Sequence, residues 1–292
     1  MPAPSLWRYV AAEPDLMLWI GDNVYGDAPD DFSVLAQKHA VLAALPAFQQ
    51  LKKMVPTAAT WDDHDFGLNN EGRHYRFREA SKQHFRKFWD VEHLVPVDRN
   101  GIYHSRTFGE GDRRLQVMLL DCRYNRDNEG PESDTLGEEQ WAWLETELRK
   151  PAKLRLLVSG YQYFLPDDSV FESWEKFPKA QRRLLNLIQE TEAEGVVFIA
   201  GDQHYSEVSR VRDAIGYDAI EIMFCGINQE EPHVPNPHRV SPVAHAKNAY
   251  GLIDIQWTNS ETDEPHLVFR AYDADRDAVE LIYRINFSEL SR

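Results

Sequence analysis

The sequence predicts an α/β fold that changes to an α+β arrangement near its C-terminus. Five apolar segments of strand length are separated by stretches with helical periodicity, which is the pattern of parallel strands joined by crossover helices. Residues 279–287 then alternate apolar and polar side chains, as expected for an antiparallel strand with one solvated face. With 42% hydrophobic residues and no evident linker or repeat, the 292 residues are expected to form a single domain.

The predicted elements follow one another closely along the chain. We predict helices over residues 5–13, 31–54 with an interruption at Pro46, 75–90, 136–149, and from Pro178 to a stop at Gly195. We predict strands over residues 16–20, 55–61, 115–120, 154–159, 196–200, 250–257, 267–271 and 279–287, with a turn at 273–278. In the second helical stretch the expected core-facing positions are Phe32, Leu35, Val41, Leu42 and Leu45.

Composition excludes several functional classes. The formal net charge of −16 would repel polyanions, so generic nucleic-acid binding is not expected and an anionic substrate would need local positive charge. No apolar run is long enough for a membrane span, and the first 15 residues lack the pattern of a signal peptide. Cys122 and Cys225 fit no disulfide or zinc spacing, which favours a reducing compartment and a cytoplasmic location for the chain as it stands.

Four predicted strands end in polar residues that could form one site. Because ligands of α/β proteins bind at the carboxyl ends of strands, side chains that follow these strands are expected to converge. These residues are Asp22 and Tyr25 after the first strand, Asp62, Asp63, His64 and Asp65 after the second, Arg123 and Arg126 after the third, and Asp202 and His204 after the fifth. Carboxylate, phenolate and imidazole ligands suit a site with two or more hard or borderline cations.

Some of these residues also have a simpler interpretation. Asp22 and Asp202, each preceded by glycine, could belong to ordinary turns, and the two arginines could form ordinary ion pairs. The cluster of Asp62, Asp63 and Asp65 is harder to explain in this way, since neighbouring carboxylates repel one another unless they are exposed, protonated or metal-bound.

At these residues the sequence resembles the alkaline phosphatase D-like metallophosphatases, which are related to purple acid phosphatases within the calcineurin-like phosphoesterases. The resemblance extends from about residue 15 to residue 207 and follows the order of the family's motifs. The motifs are GDNVYGD (21–27), TWDDHDFGLNN (60–70), DCRYNR (121–126), LGEEQWAWL (136–144), VSGYQYF (158–164) and AGDQHYSE (200–207).

The resemblance implies a role for each residue that matches a motif. Asp22 corresponds to a metal-bridging carboxylate and Tyr25 to a phenolate ligand of ferric iron. Asp63, with Asp62 as the alternative, and Asp202 and His204 correspond to further metal ligands. His64 corresponds to the catalytic acid or a substrate clamp, oriented by Asp65. Arg123 and Arg126 correspond to arginines near the substrate phosphate.

The same resemblance implies a four-layer α/β/β/α sandwich that hydrolyses phosphomonoesters or phosphodiesters. Its metals would be Fe(III) with Ca²⁺ or another divalent cation such as Zn²⁺, Mn²⁺ or Mg²⁺, which would polarise a small phosphate ester. The family's usual first strand ends in a Ser-Cys pair that ligates iron, and this sequence begins after it. An upstream extension could supply that strand and an export signal.

Two questions remain open at the level of sequence. Cys122 and Cys225 could replace the missing cysteine ligand, but both are better explained as small buried hydrophobic residues. The alternative function is a divergent, non-catalytic protein that binds a phosphate ligand or a metal ion through an incomplete iron site.

Overall fold

The computed structural model describes residues 3–166, 169, 171–224, 226, 233–257 and 263–292. Its strands are β1 Met17–Ile20, β2 Thr57–Thr60, β3 His104–Phe108, β4 Leu115–Leu119, β5 Leu154–Ser159, β6 Val196–Ala200, β7 Ser206–Val211, β8 Ala219–Phe224, β9 Ala249–Gln256, β10 His266–Asp273 and β11 Ala278–Asn286. Its helices are α1 Ala3–Ala12, α2 Ser33–Ala44, α3 Pro46–Met54, α4 Asp63–Phe66, α5 Arg78–Phe88, α6 Glu138–Leu148 and α7 Pro178–Glu190. No helix among these residues has both the length and the apolar character needed to cross a membrane.

The described strands form three sheets. The largest has six strands in the order β3-β4-β5-β6-β8-β7, with β4, β5, β6 and β8 parallel and an antiparallel strand at each edge. The strands β1 and β2 form a parallel pair, and β11-β10-β9 form an antiparallel sheet. The mixed sheets with flanking helices confirm the predicted α/β class.

Two apolar clusters hold these layers together. The larger cluster joins the six-stranded sheet to α6, α7 and the inner faces of β10 and β11. The smaller cluster joins β1 and β2 to α1, α2, α3 and α5. Because side chains alternate along a strand, Ile20 and Ala58 enter the larger cluster while Trp19 and Ala59 enter the smaller one. The short β1–β2 pair therefore packs against an apolar cluster on each face.

The interruption at Pro46 is confirmed, because α2 ends at Ala44 and Pro46 occupies the first turn of α3. The prediction that Val41 faces the core is wrong, since Val41 is 63% exposed. Leu35 and Leu42 lie seven residues apart on the buried face of α2, and Val41 is rotated by about 100° from that face.

The C-terminal alternation is confirmed from Leu281 onward but is wrong at Val279, which is 44% exposed. Ala271 pairs with Leu281, whereas Tyr272 pairs with Val279, so one residue of β11 is left out of the register. Such a bulge moves the preceding side chain to the other face of the sheet.

The strands β3, β7 and β8 were not predicted. The strands β3 (HSRTF) and β7 (SEVSRV) are edge strands with many polar residues, and β8 contains the buried Glu221 within its apolar run. Their pairing is decided by neighbouring strands, which a local hydrophobic pattern does not reveal.

A cavity of about 650 Å³ opens beside the beginning of β1 and is lined by residues of both β1 and β9. Within the described chain, β1 pairs only with β2 and β9 only with β10, so each strand presents an edge toward this cavity. From α1, the hydroxyl of Tyr9 accepts a hydrogen bond from the backbone N–H of Gly251 at 3.2 Å.

His39 should make the fold sensitive to mild acid. It is buried on α2, and burial together with the nearby His84 lowers its pKa from 6.5 to about 4. The unfolded chain therefore binds more protons between these values, so stability present above pH 6.5 is lost as the pH falls toward 4. We expect the titration of His39 to lower the unfolding free energy by about 2 kcal/mol between pH 7 and pH 5.

The measurement is urea unfolding of the wild-type protein and His39→Phe at both pH values. The aromatic variant retains packing against Phe88 but has no titrating nitrogen. The loss of stability in acid should be smaller in the variant, and identical losses in both proteins would refute the assignment to His39.

Candidate metal centre

Glycines at three strand ends allow the chain segments of this region to approach closely. A Cβ on Gly21, which follows β1 and has φ +107°, would lie 2.6 Å from the Cβ of Asp62. A Cβ on Gly201, after β6, would lie 2.8 Å from the carbonyl oxygen of Ile20 and 3.0 Å from that of Gly160. These contacts are too short for any side chain, so glycine is needed where β1, β5 and β6 meet.

The acidic residues that follow two of these glycines have unusual backbone conformations. Asp22 has φ +50° and Asp202 has φ +71°, in the left-handed region that residues with a Cβ rarely adopt. Strain of this kind persists only where surrounding structure imposes it, and it is concentrated at functional sites. The turn interpretation of Asp22 and Asp202 is thus correct for the backbone, but it leaves their carboxylates to be explained.

The acidic side chains meet at the ends of β1, β2 and β6. Asp22, Asp62, Asp63 and Asp202 each bring a carboxylate oxygen to within 4.8 Å of the others. Asp22 and Asp63 form a second such group with an imidazole nitrogen of His64. In the described part of the chain, Oδ1 of Asp22 and Oδ2 of Asp62 are buried without a hydrogen-bond partner.

Electrostatic repulsion makes this arrangement costly without a cation. Burial, followed by the nearby carboxylates, raises the pKa values of Asp22 and Asp202 well above the usual range. Burial also raises the pKa of Asp62 to about 7, although Arg123 lowers it. Burial raises the pKa of Asp63 as well, but Arg123 and His64 outweigh this effect and hold it below its ordinary value. A bound cation would remove the repulsion and satisfy the two unpaired oxygens.

Tyr25 and His204 extend the cluster on one side. The Tyr25 hydroxyl lies 2.6 Å from Nε2 of His204 and 3.2 Å from Oδ2 of Asp22. An oxygen donor from the first motif and a nitrogen donor from the last motif therefore meet beside the carboxylate of Asp22.

Asp65 has a different role from the one expected. Its Oδ1 accepts hydrogen bonds from the backbone N–H groups of Asp22, at 3.2 Å, and Asp62, at 2.7 Å. Its Oδ2 accepts a bond of 2.6 Å from the side chain of Asn23. Asp65 thus ties the turn after β1 to the start of α4, and burial raises its pKa to about 8.

The carboxylate that orients His64 is Asp27, which corrects the prediction of Asp65. Nδ1 of His64 lies 2.8 Å from Oδ1 of Asp27, so Nε2 is the nitrogen with which the ring can meet a ligand. The Tyr25 ring packs against the imidazole with centroids 4.3 Å apart. Asp27 is the last residue of the first motif, but nothing in the local sequence connects it to a histidine 37 positions away.

The two arginines form a buried ion-pair network. Arg123 is fully buried, and its Nε donates to Oδ1 of Asp62 at 2.6 Å while its Nη2 donates to Oε2 of Glu172 at 2.7 Å. Arg126 donates to the other oxygen of Glu172. The ion-pair interpretation therefore holds for both residues, and sequence reasoning did not identify Glu172 as their partner.

Two further residues of the motifs shape the site from outside the cluster. Asp121, after β4, accepts hydrogen bonds from the indole of Trp61 and the backbone N–H groups of Ile102 and Arg123, so it holds the loop rather than joining the carboxylates. The backbone N–H of Asn70 donates to Oδ2 of Asp63 at 2.6 Å. The segment after β4 thus supplies the two arginines to the site and no metal ligand.

Cys122 is a buried residue of the core, as predicted. It is fully buried, its sulfur lies 3.4 Å from the hydroxyl of Ser159, and burial raises its pKa to about 12. A thiol in this environment stays protonated and is a poor metal ligand. Cys225 lies outside the described residues.

Close approach at Gly21 can be tested by adding one methyl group. We expect Gly21→Ala to lower the unfolding free energy by about 1–3 kcal/mol more than Gly111→Ala, because the new Cβ meets Asp62. Gly111 is the matched control, since it also has positive φ but nothing within 4 Å of its ideal Cβ. Equal losses in chemical denaturation would show that the backbone conformation, not the contact, requires glycine.

Comparison with known proteins is consistent with this geometry. The sequence model of the PhoD-like phosphatase family matches residues 5–244. No curated protein sequence matches the chain significantly.

Three solved structures have a similar fold. A structure of PhoD superposes with a TM-score of 0.66 at 18% identity, over 95% of this chain and 68% of PhoD. Purple acid phosphatase PPD1 from yellow lupin seeds gives 0.64 at 13% identity, over 97% of this chain and 49% of that protein. GAP50, the anchor in the inner membrane complex of Plasmodium, gives a TM-score of 0.58 at 12% identity, over 98% of this chain and 84% of GAP50. With most of its length matched by the family's sequence model, the chain belongs to the PhoD-like phosphatases.

Proposed function

We propose that this protein is a metal-dependent phosphoesterase that hydrolyses small phosphomonoesters, phosphodiesters or both. The observation that carries the proposal is the convergence of four carboxylates within 4.8 Å, two of them with unpaired buried oxygens. Family membership supports a phosphate ester as the substrate. The negative net charge disfavours large polyanions, so we propose a small substrate.

The chemistry of the donor groups fits the proposed metals. Hard carboxylate oxygens suit Ca²⁺, Zn²⁺, Mn²⁺ or Mg²⁺, and a phenolate from Tyr25 suits Fe(III). We propose Asp22 as the bridging ligand, Tyr25 as the iron ligand, and Asp63, Asp202 and His204 as further ligands. Asp62 remains an alternative ligand, although Arg123 engages one of its oxygens. Bound metal ions would act as Lewis acids on the phosphoryl oxygens.

The protein's own groups would protonate the leaving group and position the substrate. With Nδ1 held by Asp27, His64 can present a proton on Nε2 to the leaving alkoxide. The positive charge of Arg123 lies beside Asp62 and Asp63, and Arg126 is joined to Arg123 through Glu172. A phosphate bound to the cluster would be stabilised by this positive charge.

We also propose the four-layer α/β/β/α arrangement and a single domain for residues 1–292. Its support is that β1 and β2 contribute to both apolar clusters, with helices on the outer side of each.

The first experiment measures bound metal and hydrolysis together. Purified protein should contain iron and a divalent cation, absorb visible light through a tyrosinate–iron band and cleave nitrophenyl phosphate. Asp63→Ala should abolish cleavage, whereas Asp30→Asn, which alters an exposed carboxylate paired with Arg76, should leave cleavage unchanged. Tyr25→Phe should remove the colour. A colourless, metal-free protein that stays inert after iron and calcium are supplied would refute the proposal.

A non-catalytic binding role is the second candidate. It is favoured by the similar fold of GAP50, which is described as an anchor, and by the engagement of both arginines in ion pairs within this chain. This role predicts that phosphate or a divalent cation raises the melting temperature without turnover. Hydrolysis that depends on Asp63 would exclude it.

The proposed acid, His64, can be tested through the leaving group. We expect His64→Gln to lower kcat about 10²–10⁴-fold for an alkyl phosphate, because a poor leaving group needs the proton. The loss should be much smaller for nitrophenyl phosphate, whose leaving group is stable as an anion. Asp27→Asn should show the same pattern more weakly. Equal losses on both substrates would mean that His64 serves as a ligand or clamp instead.

A further inference from the structure

The carboxylate of Glu172 lies between the two arginines of the site. Its Oε2 accepts a 2.7 Å hydrogen bond from Nη2 of Arg123, and its Oε1 accepts one from Nη2 of Arg126. Glu172 is only 5% exposed, so both ion pairs are shielded from water. One carboxylate thus spans two guanidinium groups at the edge of the proposed metal centre.

The arginines have hydrogen-bonding capacity that Glu172 does not use. In the part of the chain that the structure describes, Nη1 of Arg123 and Nε of Arg126 are buried without a partner. A carboxylate offers two oxygens, whereas a phosphate offers up to four in a tetrahedral arrangement. Guanidinium groups bind both anions through the same paired N–H donors. A phosphate could therefore satisfy donors that Glu172 leaves unpaired.

The position of Glu172 also has an electrostatic cost. Glu172 brings a third carboxylate to Arg123, which already lies 2.6 Å from Asp62 and 4.0 Å from Asp63. A carboxylate whose only function was to neutralise the arginines would be unnecessary for Arg123, which Asp62 already pairs at 2.6 Å. Glu172 instead occupies the Nη2 group of each arginine, which is a donor that a second anion could otherwise contact.

We propose that Glu172 is an internal competitor that phosphate displaces from Arg123 and Arg126. The proposal deepens the proposed function and rests on it for the identity of the anion. Only molecules in which Glu172 is displaced would bind phosphate at both arginines. The apparent affinity for phosphate would therefore be the intrinsic affinity multiplied by the fraction of such molecules. It would therefore set how tightly the site holds substrate and product phosphate.

The test measures inorganic phosphate binding to the purified protein by calorimetry. Glu172→Gln removes the charge, and Glu172→Asp retains it on a side chain too short to reach both arginines. Glu129→Gln is the matched control, because Glu129 also approaches Nη2 of Arg126, at 3.5 Å, but from the exposed surface. We expect the dissociation constant for phosphate to fall about tenfold in Glu172→Gln, less in Glu172→Asp, and not at all in the control.

Loss of a buried counterion can prevent folding, so circular dichroism and the melting temperature are recorded for each variant. If Glu172→Gln does not fold, Glu172→Asp decides the question. Unchanged or weaker phosphate binding in the folded variant would overturn the proposal. The proposal would also fail if neither the wild type nor any variant bound phosphate at millimolar phosphate concentration. Hydrolysis of nitrophenyl phosphate is assayed separately, so tighter phosphate binding without turnover would contradict the proposed function alone.

Discussion

Mutual repulsion among buried carboxylates is the constraint on which the rest of this structure depends. Asp22, Asp62, Asp63 and Asp202 are brought together from three strand ends, where burial and their shared negative charge oppose ionisation of Asp22, Asp62 and Asp202. Protein groups compensate this charge only in part, chiefly through Arg123. A chain that spends folding free energy on such a cluster needs either protons or cations there, and the oxygen ligands suit cations.

The architecture around the cluster serves to hold it in place. The β1–β2 pair is anchored by apolar clusters on both faces, and glycines allow the ends of β1, β5 and β6 to approach within contact distance. Asp65, which lies on α4, then links this helix to the turn after β1 through two hydrogen bonds. Positive φ angles at Asp22 and Asp202 show that the backbone is held in strained conformations at two of the four positions that supply carboxylates to the cluster.

Much of the fold, and the convergence of the acidic residues of the candidate site, could be predicted from sequence because their signals are local. Apolar runs that end in acids identify strand ends directly, and the convergence of those ends follows from parallel topology. Asp27 and Glu172 were missed as partners of His64 and of the arginines, since these contacts join residues 37 and 46–49 positions apart. The exposed position of Val279 was also missed, because it depends on a bulge that only strand pairing defines.

The expected pairing of Asp65 with His64 is the converse case, in which residues adjacent in sequence are not partners in the structure. The resemblance implied that Asp65 orients its neighbour His64, but α4 directs Asp65 toward the backbone of Asp22 and Asp62. Residues next to each other on a helix point about 100° apart, so neighbours in a motif rarely face each other. Spatial partners of a motif residue must therefore be sought one strand or loop away.

The most direct test of the account is the melting temperature of the purified protein before and after metal removal by a chelator. The carboxylate cluster predicts that metal removal lowers this temperature and that returning iron with calcium or another divalent cation restores it. At a free metal concentration one hundred times the dissociation constant, the gain would be about 2.7 kcal/mol. A melting temperature that is indifferent to both chelation and metal would contradict the central claim that the cluster is a metal centre.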